Sequence, residues 1–338
     1  MCKSIMKFPN RKTISFFLSV LLSIFCLGGT LGCLPAHAAG EYHLNSWDEN
    51  GKIQDIIDFV ERVTTKGNDY YVKRKDRIAV FDNDGTLWSE KPVYFPIQFE
   101  LENDGFVGLT TDEYIEKARQ FVYKENQVNF GVPYRELVYK PVIGLVKYLK
   151  ANGFKVYICS GGDIDFVRSF SDKVYGIPPE QVIGTAVKTS FDLEFGGNVK
   201  RDTAFLEAIQ GHQELAHYND QEGKPVGIQN HIGKRPIIAV GNSGGDFEMF
   251  QYTDAGVDKS LIVLINHDDC EREYKYNDVP GSTHPECQPN EYEYKLVPDN
   301  ESLDEAQNRE NWIVVSMKND FNTIFESDLS RTPAPVCN

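Results

Sequence analysis

Basic residues are in short supply: 35 lysines and arginines face 50 aspartates and glutamates, a formal net charge of −15. A chain this acidic is a poor nonspecific partner for nucleic acid or anionic lipid, because both bind through neutralised phosphates. A small phosphorylated substrate stays open, since a local metal or lysine overrides the global field. The sequence also lacks internal repeats, low-complexity tracts, and any Cys-x-x-Cys or Cys/His spacing of the zinc-binding kind. After residue 38 no apolar run approaches the ~20 residues of a spanning helix. The chain beyond that point is therefore expected to be soluble, with no membrane-embedded part. What is present is a globular composition. Apolar residues make up 41% of 338, with 21 Phe and 17 Tyr to build a core. That excludes a mainly disordered, collagen-like or coiled-coil chain. At ~100–200 residues per domain it allows one large domain or two modest ones.

The first 38 residues read as a targeting segment. Lys3, Lys7, Arg11 and Lys12 precede an apolar run from Ile14 to Leu27, and Ala36-His37-Ala38 offers small residues at signal-peptidase spacing. This is the order of a secretory signal, and its apolar run is short for an anchor. Export to a periplasm or beyond is expected, with a lipid anchor through Cys33 as the variant reading. Cleavage after Ala38 leaves 31 basic and 50 acidic residues, a net charge of −19. It also leaves Cys159, Cys270, Cys287 and Cys337. Cys159 ends an apolar run and reads as a buried thiol. Cys270 and Cys287 flank a polar loop, and export permits a disulfide between them, leaving Cys337 over. Spacing alone does not determine the pairing.

Apolar periodicity places a helix over Ile53 to Val63 and further helices over 112–126, 134–151, 163–175, 225–232 and 245–253. Continuous apolar runs at Ile78 to Phe81, Phe154 to Cys159, Gln181 to Val187, Arg235 to Val240 and Leu261 to Ile265 read as buried strands. Residues 189–195 suit a hairpin arm, and 73–77 a solvated basic strand entry. Strands alternating with helices imply right-handed βαβ units and a mainly parallel α/β sheet. Residues 89–140 interrupt the alternation and read as an inserted cap. The expected division is a signal peptide over 1–38, a core over 39–88 and 141–338, and the cap between.

Four constellations can carry chemistry, three of them at strand ends and Lys224 at the start of a short helix. Asp82-Asn83-Asp84-Gly85-Thr86 places two carboxylates in one turn, which suits a hard metal ion or a phosphoryl acceptor. Asp-Gly also makes ordinary polar turns. A calcium loop counted from Asp82 fails in register, because Leu87 and Val93 fall where Gly and Glu belong. Ser160-Gly161-Gly162 can cradle a phosphate at a helix start. Lys224 can offset transition-state charge, with Lys188 a rival for the role. Gly241-Asn242-Ser243-Gly244-Gly245-Asp246 offers metal oxygens from Asn242 and Asp246. It also matches the Gly-x-Ser-x-Gly elbow of serine hydrolases, with Asp268 or Asp269 and His284 following in order. That competing reading leaves the Asp82/Asp84 turn unexplained. His267-Asp268-Asp269 reads as a solvated loop. Glu90 and Glu100 are candidates to contact a substrate amine.

In order, these four elements resemble the haloacid dehalogenase superfamily of phosphohydrolases. They look closest to its phosphoserine-phosphatase-like branch and to exported bacterial acid phosphatases. The resemblance spans Ile78 to Ile265. It implies a Rossmann-like parallel sheet with helices on both faces and a small, mainly helical cap after the first motif. It implies that Asp82 is a nucleophile forming an aspartyl phosphate and that Asp84 is the general acid/base. Ser160, Gly161 and Thr86 would bind the phosphate, with Lys224 as the cation. Mg²⁺ would sit on Asp82, Asp84, Asn242 and Asp246. Where the family shows Gly-Asp, this chain has Gly241-Asn242, a weaker ligand. The segment 196–222 has no counterpart. The implied activity is phosphomonoester hydrolysis; the alternatives are a serine esterase using Ser243 and a non-catalytic phospholigand-binding protein. Oligomeric state is not legible.

Overall fold

The computed structural model describes residues 43–103, 106–194, 196–256, 259–276, 301–327 and 329. The expected signal segment, Cys33, His284, Cys287 and Cys337 lie outside them. No disulfide joins the described residues, and the Cys270–Cys287 pairing cannot be placed among them.

Seven strands form one sheet. They are β1 (Ile78–Phe81), β2 (Lys155–Asp163), β3 (Val182–Val187), β6 (Leu215–His217), β7 (Ile238–Gly241), β8 (Leu261–Asn266) and β9 (Trp312–Ser316). Their spatial order is β6-β3-β2-β1-β7-β8-β9. All neighbours pair parallel except β3 with β6. A separate hairpin pairs β4 (Thr189–Asp192) with β5 (Asn198–Arg201). This is the expected Rossmann-like α/β fold. The edge strands β6 and β9 lie outside the expected set. β2 runs to Asp163, further than its apolar run, because the Ser160–Gly162 stretch stays extended through an irregularity against β3.

Side chains alternate between the two faces of the sheet, and each face is covered. Ala79 and Phe81 of β1, Ile238 and Val240 of β7, and Leu261 and Val263 of β8 join one apolar cluster. That cluster contains Ile53, Ile56, Val60 and Val63 of α1 (Ile53–Thr64) and Val142, Val146 and Leu149 of α4 (Lys140–Ala151). Val80, Ala239, Ile262 and Leu264 face the other way. They meet Ile228 of α8 (Gly223–Ile232) and Met249 and Phe250 of α9 (Phe247–Asp254). At period 2, each strand thus feeds both clusters and is buried on both sides.

Two helical spans differ from their expected limits. Residues 134–136 form only a 3₁₀ turn, and α4 starts at Lys140 with Pro141 in its first turn, where the missing N–H costs nothing. The span 163–175 breaks into α5 (Ile164–Arg168) and α6 (Ser171–Tyr175). At the break the Phe170 ring stacks on Trp88 at 4.6 Å, and α6 stops at Gly176 in the left-handed region. The basic stretch is a 3₁₀ turn, Arg74–Asp76. Arg77 is buried rather than solvated, donating to the carbonyls of Val72, Asn152 and Thr64.

Residues 89–140 contain α2 (Phe95–Glu102) and α3 (Thr111–Lys124), the latter opened by a Thr110/Glu113 capping box. Phe95, Phe99 and Phe121 pack with Trp88, Tyr134 and Phe166 in the larger cluster. Segment 196–222 contributes β5, α7 (Phe205–Ile209) and β6.

β1, β2 and β3 step one way across the sheet, whereas β7, β8 and β9 step the other. The order therefore reverses between β1 and β7. At such a switch point the loops leaving the carboxyl ends diverge and open a crevice. The Asp82, Ser160 and Asn242 motifs all leave strands around that crevice.

Candidate active site

The Asp82–Thr86 turn is held by its own backbone. The Asn83 carbonyl accepts N–H bonds from Thr86, Leu87 and Trp88, and the Asp82 N–H bonds Val240 O at 2.8 Å, tying the turn to β7. Gly85 has φ +75°, and a Cβ there would collide with the Asn242 side chain and lie 2.9 Å from Glu90 Cδ. Only glycine meets both demands.

Lys224 is the hub. Its Nζ lies 2.6 Å from Asp82 Oδ1, 2.6 Å from Asp246 Oδ1 and 3.0 Å from Cys159 O. Burial alone would lower its pKa, but Asp246 and Asp82 outweigh that and hold it well above the ordinary lysine value. Burial, then the Asp246 charge, push the Asp82 carboxyl well upward against the pull of Lys224. Two carboxylates share one ammonium, which leaves an excess negative charge in a buried place.

Asp84 is buried too. Its carboxylate accepts from Trp88 Nε1 at 2.9 Å and Asn83 Nδ2 at 3.3 Å, and Ser160 Oγ lies 3.5 Å away. Its pKa is raised to about 6 by burial, opposed by the Trp88 bond and assisted by the nearby Glu90 charge.

Asp246 uses both oxygens within the protein. Oδ1 takes Lys224, and Oδ2 accepts the Asn242 and Ser243 N–H groups at 3.0 and 3.1 Å. It shapes the turn while pairing with Lys224. Asn242 accepts from Thr86 Oγ1 at 3.2 Å and reaches Glu90 Oε1 at 3.4 Å. Thr86 is fully buried and meets Asn242, so its hydroxyl does not reach the cavity. Ser160 is likewise buried, with Oγ accepting from the Gly162 N–H at 3.0 Å. Gly161 and Gly162 line the space instead.

That space is a cavity of about 540 Å³ bounded by Asp82, Asp84, Glu90, Lys91, Asp220 and Lys224, among others. Tyr94, Pro96 and Ile97 from the 89–140 segment form one wall, and Phe205, Ile209 and Tyr218 from segment 196–222 another. The unplaced segment thus faces the site. Its Asn219, fully buried, donates to Ser160 O at 2.9 Å and braces that loop. Asp220 Oδ1 sits close enough to Gly161 that a Cβ there would lie 3.4 Å from it. Asp220 escaped the sequence reading; its only signal was its place one turn before Lys224.

Other candidates fall elsewhere. Lys188 is half exposed and pairs with Glu214. His267 is buried rather than solvated: its Nε2 lies 2.7 Å from Gly85 O and its Nδ1 3.3 Å from Glu273. It therefore meets the backbone of the Asp82–Thr86 turn. Asp268 holds Ser316 Oγ at 2.6 Å, and Asp269 pairs with Arg272.

Glu100 does not face the cavity. It accepts the Leu206 N–H at 2.7 Å and the Tyr114 hydroxyl at 3.3 Å. Burial pushes its pKa up to about 7, against the Leu206 bond. Because the folded value exceeds the unfolded one, this group's contribution is fully present below about pH 4.5 and is lost as pH rises through about 7. Glu100→Gln keeps the carbonyl acceptor without the charge. It is expected to raise the melting temperature at pH 8 and leave it unchanged at pH 4. Equal shifts at both pH values in calorimetry would contradict this.

No family model and no curated protein matches this sequence. Among solved structures, a conserved protein of unknown function from Anaerococcus prevotii is similar at 16% identity and TM-score 0.45, covering 66% of this chain and 87% of its own. A phosphoserine phosphohydrolase-like protein from Francisella tularensis is similar at 16% identity and TM-score 0.30, covering 56% and 87%. Cytosolic 5'-nucleotidase IIIB bound to cytidine is similar at 11% identity and TM-score 0.36, covering 64% and 80%. Likeness at this level carries no functional weight.

Proposed function

We propose that the protein is a phosphomonoester hydrolase of the haloacid dehalogenase kind, working through an aspartyl phosphate on Asp82. One observation carries this reading: Lys224 bridges the carboxylate leaving β1 and the carboxylate leaving β7, beside a second acidic group, Asp84, in the same cavity. Asp82 Oδ1 is held by Lys224, which leaves Oδ2 to attack phosphorus in line. The phosphorus–oxygen bond to the alcohol breaks as the acyl phosphate forms. Asp84 gives the departing alkoxide its proton, then takes one from the water that cleaves the acyl phosphate. A carboxyl ionising at about 6 suits both tasks. Gly161, which lines the cavity, and the Lys224 charge offset the phosphoryl charge.

The donor chemistry fits Mg²⁺. The Asp82 carboxylate, the Asp84 carbonyl and Asn242 Oδ1 are hard oxygens, and the pocket has surplus negative charge. No group of three His, Cys, Asp or Glu side chains makes a ready metal cage among the described residues. Water and substrate oxygens would then complete the set. Bound there, the ion would neutralise phosphoryl oxygens. Export remains part of the proposal on the N-terminal sequence alone, and 89–140 as the cap on its helical content. A panel of phosphomonoesters, with and without EDTA, tests the reading on the purified chain. Hydrolysis that EDTA abolishes and Mg²⁺ restores supports it; binding without turnover would favour a phospholigand-binding protein.

The Gly-x-Ser-x-Gly match keeps a serine esterase as the second reading. Ser243 Oγ lies 3.5 Å from Asp246 Oδ2, and no histidine bonds it among the described residues. Losing a turn hydroxyl costs about 1 kcal/mol. Ser243→Ala should therefore keep phosphatase activity within about tenfold, and fluorophosphonates should not label the protein. Labelling at Ser243 with EDTA-insensitive ester hydrolysis would reverse the assignment.

A further inference from the structure

The cavity holds a second cation that the proposed chemistry leaves idle. Lys91 is 9% exposed and lines the same space as Asp82 and Asp84. Its ammonium sits 4.6 Å from the centre of the Tyr276 ring and 5.2 Å from that of Tyr94. It forms an ion pair with Glu90 Oε1 at 3.8 Å, beyond hydrogen-bond length. Lys224 has three acceptors in contact, whereas the Lys91 ammonium has no hydrogen-bond acceptor among the described residues. Ring faces position a cation but accept no strong hydrogen bond. Glu90 is the ionic partner of Lys91 among the described residues, and the open N–H donors of the ammonium leave it able to bond a further anion.

The anion is not the phosphoryl group itself. Asp82, Gly161, Gly162 and Lys224 already define its place at the floor of the crevice. Lys91 follows Glu90 on the wall, at the start of the segment that also presents Tyr94, Pro96 and Ile97. Phe205 and Ile209 line the same space. A ligand filling this space meets apolar side chains and the Lys91 cation.

Resting on the hydrolase reading, we infer that Lys91 selects phosphomonoesters carrying a compact apolar body and a second anionic group, a carboxylate in the simplest case. The test compares kcat/KM for phenyl phosphate with that for 3- and 4-carboxyphenyl phosphate. Wild type is expected to favour one carboxylated ester, and Lys91→Met, which keeps the stem over the tyrosine rings, to lower that preference about tenfold or more. An unchanged ratio, including a parallel loss on all esters, overturns the inference while leaving the hydrolase reading intact.

Calorimetry with the matching phosphonates reads the same ratio as dissociation constants, without turnover. Wild type should also bind 4-carboxyphenylphosphonate or its 3-isomer about tenfold more tightly than the corresponding carboxamide. That comparison needs no variant. Equal affinities for acid and amide overturn the inference even if Lys91→Met fails to fold. Catalytic inactivity with a retained acid preference would sink the hydrolase reading alone.

Discussion

Asp82→Asn should abolish turnover, lowering kcat by about four orders of magnitude or more, while the protein stays folded. The amide cannot donate the electron pair that a carboxylate Oδ2 offers phosphorus, so no acyl phosphate forms. Folding is spared for a reason visible in the site. Lys224 retains Asp246 and the Cys159 carbonyl, and the asparagine oxygen still accepts from its Nζ. The substitution also removes one of two buried carboxylates that repel each other. The melting temperature should stay level or rise. In wild type, beryllium fluoride should mimic the acyl phosphate on Asp82 and raise the melting temperature, and the variant should not respond. Activity at wild-type level, with mass spectrometry finding no deamidation, would remove Asp82 from its role.

Lys224→Met is expected to lose both activity and stability. It strands the Asp82 and Asp246 carboxylates in a buried place without their shared cation. Breaking a buried pair from one side costs about 3–5 kcal/mol. At ~2–4 °C per kcal/mol for a domain of ~150–250 residues, the melting temperature should fall by roughly 10 °C. Adding Asp246→Asn removes one stranded charge and should recover part of the loss. The double-variant cycle therefore measures the coupling directly. A Lys224→Met protein as stable as wild type would mean that Asp82 and Asp246 do not share its charge. Recovery of stability without recovery of activity is the expected signature of the double variant.

The sheet and the Asp82/Asp84 turn were legible because their signals are local. Ile78 to Phe81, Ile238 to Val240 and Leu261 to Ile265 are continuous apolar runs, and burial on both faces permits nothing else in the middle of a sheet. Asp82 and Asp84 sit in one turn, so no folding is needed to bring them together. The break between α5 and α6 was not legible, because Phe170 leaves the helical path to stack on Trp88, which precedes it by 82 residues. β6 was missed because its three residues, Leu215, Ala216 and His217, carry no periodic pattern. They pair with β3 at the sheet edge.

Composition and the strand-end motifs by themselves determined the fold class, the crevice and the acidic pair placed in it, since each follows from neighbours along the chain. Tertiary structure alone brought the lysine to the pair: Lys224 meets Asp82 across 142 residues, whereas Lys188 turns outward to Glu214. It decided that Asp246 is committed to backbone N–H groups and that Asn219 braces Ser160. It also brought Lys91 between two tyrosine rings, one of them 185 residues away in sequence. The reason is physical. A buried charge is defined by every group packed around it, and those groups come from strands that neighbour each other only once the sheet has formed.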